Sequence, residues 1–177
     1  MDYTYSYVSP LGTLTVASDG TSVTGLWIRG QKYYASKLGL DAIEQDLPIF
    51  ESVCKWLDCY FSGKKPEFIL PLSPKGSQYQ QSVWNILCEI PYGEVISYKD
   101  IANKIALQTG RKSMSAQAVG GAVGHNPISI IIPCHRVIGS DGSLTGYAGG
   151  IEAKKQLLQL EGVDISKLYV PFKGTAL

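Results

Sequence analysis

Cys134, His135 and Arg136 stand side by side in NPISIIIPCHRVIG, Asn126–Gly139, directly after a proline and a β-branched apolar run. A thiol is a useful nucleophile only as thiolate, so a pKa of about 8.5 must be overcome by a base or a positive field. His135 is the natural proton acceptor. Ile128, Ile130, Ile131 and Ile132 predict a buried strand that stops at Pro133, which cannot donate to a ladder, and this would deliver Cys134 to a fixed place. Neighbours in extended chain point to opposite faces, so Cys134 and His135 would meet only through a tight turn or an intervening water. A third group should orient the imidazole, and Glu161 on the last helix is a candidate. On these residues alone, an inert buried cysteine beside a surface histidine is an equal alternative.

The other cysteines offer less chemistry. Cys54, Cys59, Cys88 and Cys134 include no CxxC pair, and His125 and His135 are the two histidines. Structural zinc is not expected, and reduced thiols are. Cys54 falls on the apolar face of a helix with Phe50, Val53, Leu57, Tyr60 and Phe61 and reads as core; Cys88 reads as packing on another helix.

These residues must be positioned by two kinds of element. The first 30 residues alternate apolar and polar (YTYSYVS, GTLTVAS, TSVTGLWI) between turn signals, the pattern of a three-stranded antiparallel sheet. After the Phe50–Phe61 helix, PLSPKGS, residues 71–77, reads as a linker and divides the chain into domains 1–76 and 77–177. Beyond it, Ser77 with Gln80 predicts a capping box for a helix carrying Tyr79, Val83, Ile86, Leu87 and Ile90. Ser97 with Asp100 predicts another for YKDIANKIA. A polar loop, LQTGRKSMS, leads to AQAVGGAVG, whose Ala118, Gly121 and Ala122 make a poor helix by propensity but one able to approach another surface closely. Two short helices around a turn suggest a helix-turn-helix, GSLTGYAGG a hairpin or wing, and IEAKKQLLQLEG a last helix.

With 177 residues and 45% apolar content the chain can bury one sizeable core or two small ones. The start, MDYTYSYVSP, has neither the basic nor the apolar region of a signal peptide, and a soluble cytoplasmic protein is expected. The net charge of +1 conceals a division. Residues 1–96 carry 7 Lys and Arg against 10 Asp and Glu, whereas residues 97–177 carry 9 against 5. The second part is the one suited to a polyanion, although on charge alone a merely solvated surface is the preferred reading of the imbalance.

IPCHRVIG, preceded by GEVISY and AVGGAVGHNP and followed by GSLTGYAGG and LLQLEG, closely resembles the methylated-DNA–protein-cysteine methyltransferases, the alkylguanine-DNA alkyltransferases. The likeness is dense from Val83 to Glu161; the first 76 residues resemble that family's N-terminal domain in outline. It implies an α/β (α+β) fold, with a ribonuclease-H-like N-terminal domain holding a small antiparallel sheet and a C-terminal winged-helix domain for DNA binding and catalysis. It also implies DNA repair by a single, self-inactivating transfer of an alkyl group from the 6-oxygen of guanine, or from methylated thymine, to Cys134. His135 would act as base through a water, held by Glu161. Asn126 would fix the active-site loop, and Tyr98 would give a proton to the departing base. Double-stranded DNA would bind through its minor groove to a monomer, without metal or cofactor, the damaged nucleotide being flipped out. Contacts fall to Gln117, Ala116, Ala118 and Gly121 on the recognition helix, and to Lys99, Arg111, Lys112, Arg136 and Ser140. Tyr147, Ala148 and Gly149 would wall the pocket, with Ser129 at its lip. Gln117 departs from the family's intercalating arginine, Ser129 from a common proline, and the loop between Tyr98 and Gln117 is longer than in compact members.

Two rivals make different demands. A helix-turn-helix regulator that binds DNA without chemistry has no need of Cys134, and a Cys-His hydrolase is poorly served by residues adjacent in sequence.

Overall fold

The structure, a computed structural model, describes residues 1–171. Its chain divides into two compact units, Met1–Lys75 with Pro127–Ile131, and Gly76–Asn126 with Ile132 onward. The sequence places a boundary at 76/77 and carries no signal for the excursion Pro127–Ile131.

In the first unit, β1 (Tyr3–Ser9), β2 (Gly12–Ser18) and β3 (Val23–Ile28) form the expected antiparallel meander. A fourth short strand, β4 (Ile43–Glu44), pairs parallel to β1 and gives the order β3-β2-β1-β4. Helix α1 (Pro48–Phe61) starts with proline, whose missing N–H costs nothing there, and lies against β1 through Tyr5–Phe50 and Tyr7–Phe61 ring stacking. Phe50, Val53, Leu57 and Tyr60 are buried as the spacing requires, whereas Cys54 is only half-buried. The outer edge of β3 is met twice by irregular chain. Pro71–Ser73 hydrogen-bonds to Val23, so the front of the supposed linker belongs to the first unit, and Leu26 N–H donates to Pro127 O at 2.8 Å while Ser129 N–H donates to Leu26 O at 2.9 Å.

That second contact corrects the expected strand. Ile128 bridges to Leu26, but the chain then turns, with the buried Ile130 at φ +71°. A β-branched side chain pays steric strain in this left-handed region, so the surrounding packing must over-determine it. β-Branched composition alone predicted extended chain; the strained turn overrides it.

The second unit gathers α2 (Gln78–Cys88), α3 (Tyr98–Thr109) and α4 (Ala116–Gly124) around Val83, Trp84, Leu87, Ile101, Ile105, Val119 and Val123. Each fully buried aliphatic contributes roughly 1.5–3 kcal/mol. Both capping boxes form: Ser77 and Gln80 exchange side-chain and backbone bonds at the start of α2, and Ser97 and Asp100 do so for α3. Helix α3 runs three residues beyond YKDIANKIA, to Thr109, and ends at Gly110 with φ +66°, a left-handed cap that glycine adopts without penalty. Trp84 Nε1–H donates to Ala122 O at 2.9 Å and ties α2 to α4. Cys88, expected as packing, is exposed at the end of α2.

Two short parallel strands, β5 (Ile96–Ser97) and β6 (Val137–Ile138), pair Ile96 with Val137 and Ser97 with Ile138. β5 immediately precedes Tyr98, and β6 immediately follows a single 3-10 turn, Cys134–Arg136. This ladder fixes the spacing between the tyrosine and the cysteine. Helix α5 (Ile151–Leu160) ends with Glu161 as its C-cap. Among the described residues no helix is long and apolar enough to cross a membrane.

Candidate active site

Cys134 sits in the 3-10 turn rather than at a strand end, so its neighbour His135 is not thrown to the opposite face of a ladder. The thiol is 4% exposed, and Asn126 Nδ2–H donates to its sulfur at 3.1 Å and to Ile132 O at 2.9 Å. One amide thus closes the turn and places a donor where thiolate charge would develop. Burial pushes the Cys134 thiol above its ordinary value; the Asn126 bond and the charge of Lys154 pull it down without overcoming burial. At neutral pH the resting thiol is protonated and needs a base.

His135 has no exposed surface. Its Nε2 lies 2.6 Å from Glu161 Oε1, so an ionised Glu161 holds the proton on Nε2 and leaves Nδ1 as the basic atom of the neutral ring. Burial lowers the His135 pKa, Glu161 opposing it, so the imidazole rests neutral. Glu161 also accepts from Arg136 Nε (2.8 Å), Arg136 Nη2 (3.0 Å) and Gly93 N–H (3.1 Å). Burial alone would raise its pKa, but the bonds from His135 and Arg136 outweigh that and hold it at about 2. The site therefore joins a protonated thiol to the residue next in sequence, a neutral imidazole whose orientation Glu161 fixes.

Arg136 corrects an expectation. The resemblance implies a DNA contact for it, but its guanidinium is buried, clamped two-fold on Glu161, and donates Nη1–H to Ile90 O at 2.7 Å. It neutralises Glu161 and is not offered to a partner.

Tyr98, at the first position of α3, donates its hydroxyl to Thr145 O at 3.0 Å and Gly146 O at 3.2 Å. Gly146 has φ +71°, and a Cβ there would lie 2.8 Å from the Tyr98 oxygen, so glycine is required for this contact. Burial, then the thiolate charge at Cys134, raise the Tyr98 pKa. Tyr147 is buried with its ring edge-on to His135, centroids 6.4 Å apart, and Ala148 and Gly149 follow it half-buried.

Ala116, Gln117, Ala118 and Gly121 are all exposed on α4, and Lys99, Arg111, Lys112 and Ser140 are exposed as well. The exposed side of α4 therefore carries almost no bulk except Gln117. Ser129 is 1% exposed, with its hydroxyl donating to Gln31 Oε1 at 3.3 Å.

Sequence reasoning passed over Lys154. It is wholly buried, and its Nζ–H groups donate to Val137 O and, at 2.8 Å, to Thr145 O. Burial lowers its pKa to about 8, a thiolate at Cys134 working the other way. The signal was available: Lys154 falls one turn before Leu157 and Leu158 on the apolar stripe of α5. Gly93, whose amide meets Glu161, carried no comparable signal.

Comparison with known proteins covers nearly the whole chain. Residues 78–163 match the 6-O-methylguanine DNA methyltransferase DNA binding domain, and residues 2–74 match the ribonuclease-like domain of the same enzymes. The chain is 44% identical over 162 residues to the methylated-DNA–protein-cysteine methyltransferase of Haemophilus influenzae, covering 91% of this chain and 86% of that one. It is 40% identical to the inducible enzyme of Bacillus subtilis, covering 96% and 90%. A crystal structure of Mycobacterium tuberculosis OGT in complex with DNA superposes with a TM-score of 0.78 at 41% identity, covering 94% of each chain. With both halves matched in order and with Cys134, His135 and Glu161 in one buried cluster, the chain belongs to the methylated-DNA–protein-cysteine methyltransferase family.

Proposed function

We propose that this chain repairs alkylated DNA by moving the alkyl group from the 6-oxygen of guanine, or from methylated thymine, to Cys134, once per protein molecule. The observation that carries the reading is the buried thiol held by Asn126 beside a neutral His135 whose orientation Glu161 fixes.

In the reaction, the Cys134 proton passes to His135 Nδ1 through a water, and Glu161 stabilises the resulting imidazolium. The sulfur attacks the alkyl carbon in line; the S–C bond forms as the C–O bond breaks, and the electron pair stays with the guanine. The Tyr98 hydroxyl gives its proton to the purine ring, neutralising the leaving base, and recovers one from the imidazolium or solvent. The product thioether has no easy leaving group, so the protein is consumed.

A base inside a duplex cannot reach a buried sulfur, so the nucleotide must be flipped out at a cost of a few kcal/mol. Helix α4 supplies the docking surface. Its exposed Ala116, Ala118 and Gly121 fit a narrow minor groove, and Gln117 fills the space that the flipped base leaves. Lys99, Arg111 and Lys112 neutralise phosphates, Ser140 adds a backbone contact, and Tyr147, Ala148 and Gly149 wall the pocket. The protein acts as a monomer with a helix-turn-helix formed by α3 and α4.

Cys134→Ser tests the division of labour. It retains duplex binding and takes up no alkyl group; loss of binding together with chemistry would overturn the assignment of Cys134 as nucleophile only.

A further inference from the structure

The wing leading to Tyr147 is held from behind by chain that this mechanism does not use. After α5 and a 3-10 turn at Ile165–Lys167, residues Leu168–Val170 run beside Ser143 in parallel pairing. Leu144 N–H donates to Tyr169 O at 2.8 Å, and Tyr169 N–H donates to Gly142 O at 3.2 Å. The Tyr169 hydroxyl donates to Asp141 Oδ2, and Asp141 Oδ1 accepts from Ser143 N–H at 3.1 Å. A Cβ on Gly142 would lie 3.1 Å from Lys167 O, so the two segments are closely fitted.

Leu144 is 1% exposed, so no solvent stands ready to replace Tyr169 O as acceptor for its amide. The next residue is Thr145, whose carbonyl accepts from both Tyr98 and Lys154. A loosened Leu144 would shift that carbonyl and leave the Tyr98 hydroxyl with its longer bond to Gly146 O at 3.2 Å. The Asp141 carboxyl is held at about 2, first by the Tyr169 bond, which agrees with a formed contact.

We infer that Leu168–Val170 is a strap on the wing, and that Tyr169 is a positioning residue for alkyl transfer, acting through Leu144 and Asp141 on the Thr145 carbonyl that orients Tyr98. This rests on the proposed alkyl transfer for its consequence, but the strap itself is read without chemistry.

The test compares the full chain with Tyr169→Phe, which loses the bond to Asp141, and Tyr169→Pro, which also loses the N–H bonded to Gly142. Three quantities are measured: hydrogen exchange of the Leu144 amide against those of Val83 and Ile101, duplex affinity, and single-turnover methyl transfer at saturating protein. In Tyr169→Pro the Leu144 amide exchanges at least about tenfold faster while Val83 and Ile101 stay protected. Transfer slows about tenfold, with Tyr169→Phe intermediate and duplex affinity within about twofold of the parent, since misplacing a reacting group costs rate more than binding. Unchanged Leu144 exchange overturns the strap, as does faster exchange shared equally by Val83 and Ile101, which marks a general loss of stability. Faster Leu144 exchange with unchanged transfer overturns the positioning role. If the parent chain transfers no methyl group, the proposed function fails and the exchange data alone still decide the strap.

Discussion

The two units bury different things. Beneath the sheet of the first, Leu14, Val16, Leu26, Val53, Leu57 and Tyr60 make an apolar core, and its ion pair joins a buried Asp2, which also accepts Gly39 N–H at 2.9 Å, to a Lys75 side chain 54% exposed. The second encloses Glu161, His135, Arg136 and Lys154 at or near zero exposure. Exposed ion pairs contribute about 0–1 kcal/mol, whereas burying charge costs several kcal/mol per ion and is recovered only where every donor and acceptor is matched. Apolar burial builds stability; the second unit gives up some of its own to hold charges that the proposed chemistry would use.

Glu161→Gln breaks this contrast most severely. It strands the Arg136 guanidinium and removes the acceptor that fixes the His135 tautomer. Transfer should fall by about 10² to 10⁴, measured in single turnovers, and stability by about 3–5 kcal/mol in denaturant titration. Asp2→Asn, removing a buried carboxylate that serves both Lys75 and the Gly39 N–H, should cost about 1–3 kcal/mol and leave the rate alone.

Leu57→Ala is the converse. Truncating a wholly buried leucine should cost about 2–5 kcal/mol while transfer by the folded protein stays at the parent rate. A rate loss comparable to that of Glu161→Gln would show that the apolar core shapes the site as much as the buried charges do.

Lys154→Met separates stability from chemistry within one residue. Met keeps much of the volume without the buried charge but deprives the Val137 carbonyl of its donor, so the two effects oppose each other and stability should change by less than about 3 kcal/mol while transfer slows. Titration gives a second check. With a folded pKa of about 8 against 10.5, the unfolded chain alone retains the proton in that window, so the parent gains stability as pH rises from 8 to 10.5 and the variant loses this gain. On the acid side, Glu161 at about 2 against 4.5 stabilises above 4.5 and fails as pH falls towards 2. His135, held neutral, begins to cost stability as pH drops below 6.5.

Gln117→Arg should produce the smallest change. One added charge on the exposed side of α4 should tighten duplex binding and steepen the salt dependence by a slope of up to about one.

What was legible in the chain follows the same division. Local signals carried the first unit's meander and α1, and the caps of α2 and α3, because Ser77–Gln80 and Ser97–Asp100 are three residues apart and decide their own geometry. The wrong strand at Ile128–Ile132 came from reading β-branched composition where a buried turn at Ile130 prevailed. Arg136 was misplaced, and Lys154 passed over, because a charge reads as surface until its partner is known. Those partners, Glu161 and the carbonyls of Val137 and Thr145, lie far along the chain. Cys134 and His135 were visible as chemistry, but their shared 3-10 turn was not.

The central claim is tested most directly by mixing the protein with a duplex containing a single 6-O-methylguanine, weighing the intact chain and mapping the modified peptide. The expected result is a gain of one methyl group, on Cys134 alone, with guanine restored in the DNA and no second turnover. A methyl group on Cys54, Cys59 or Cys88 with Cys134 untouched, or an unmodified chain with demethylated DNA, would contradict it.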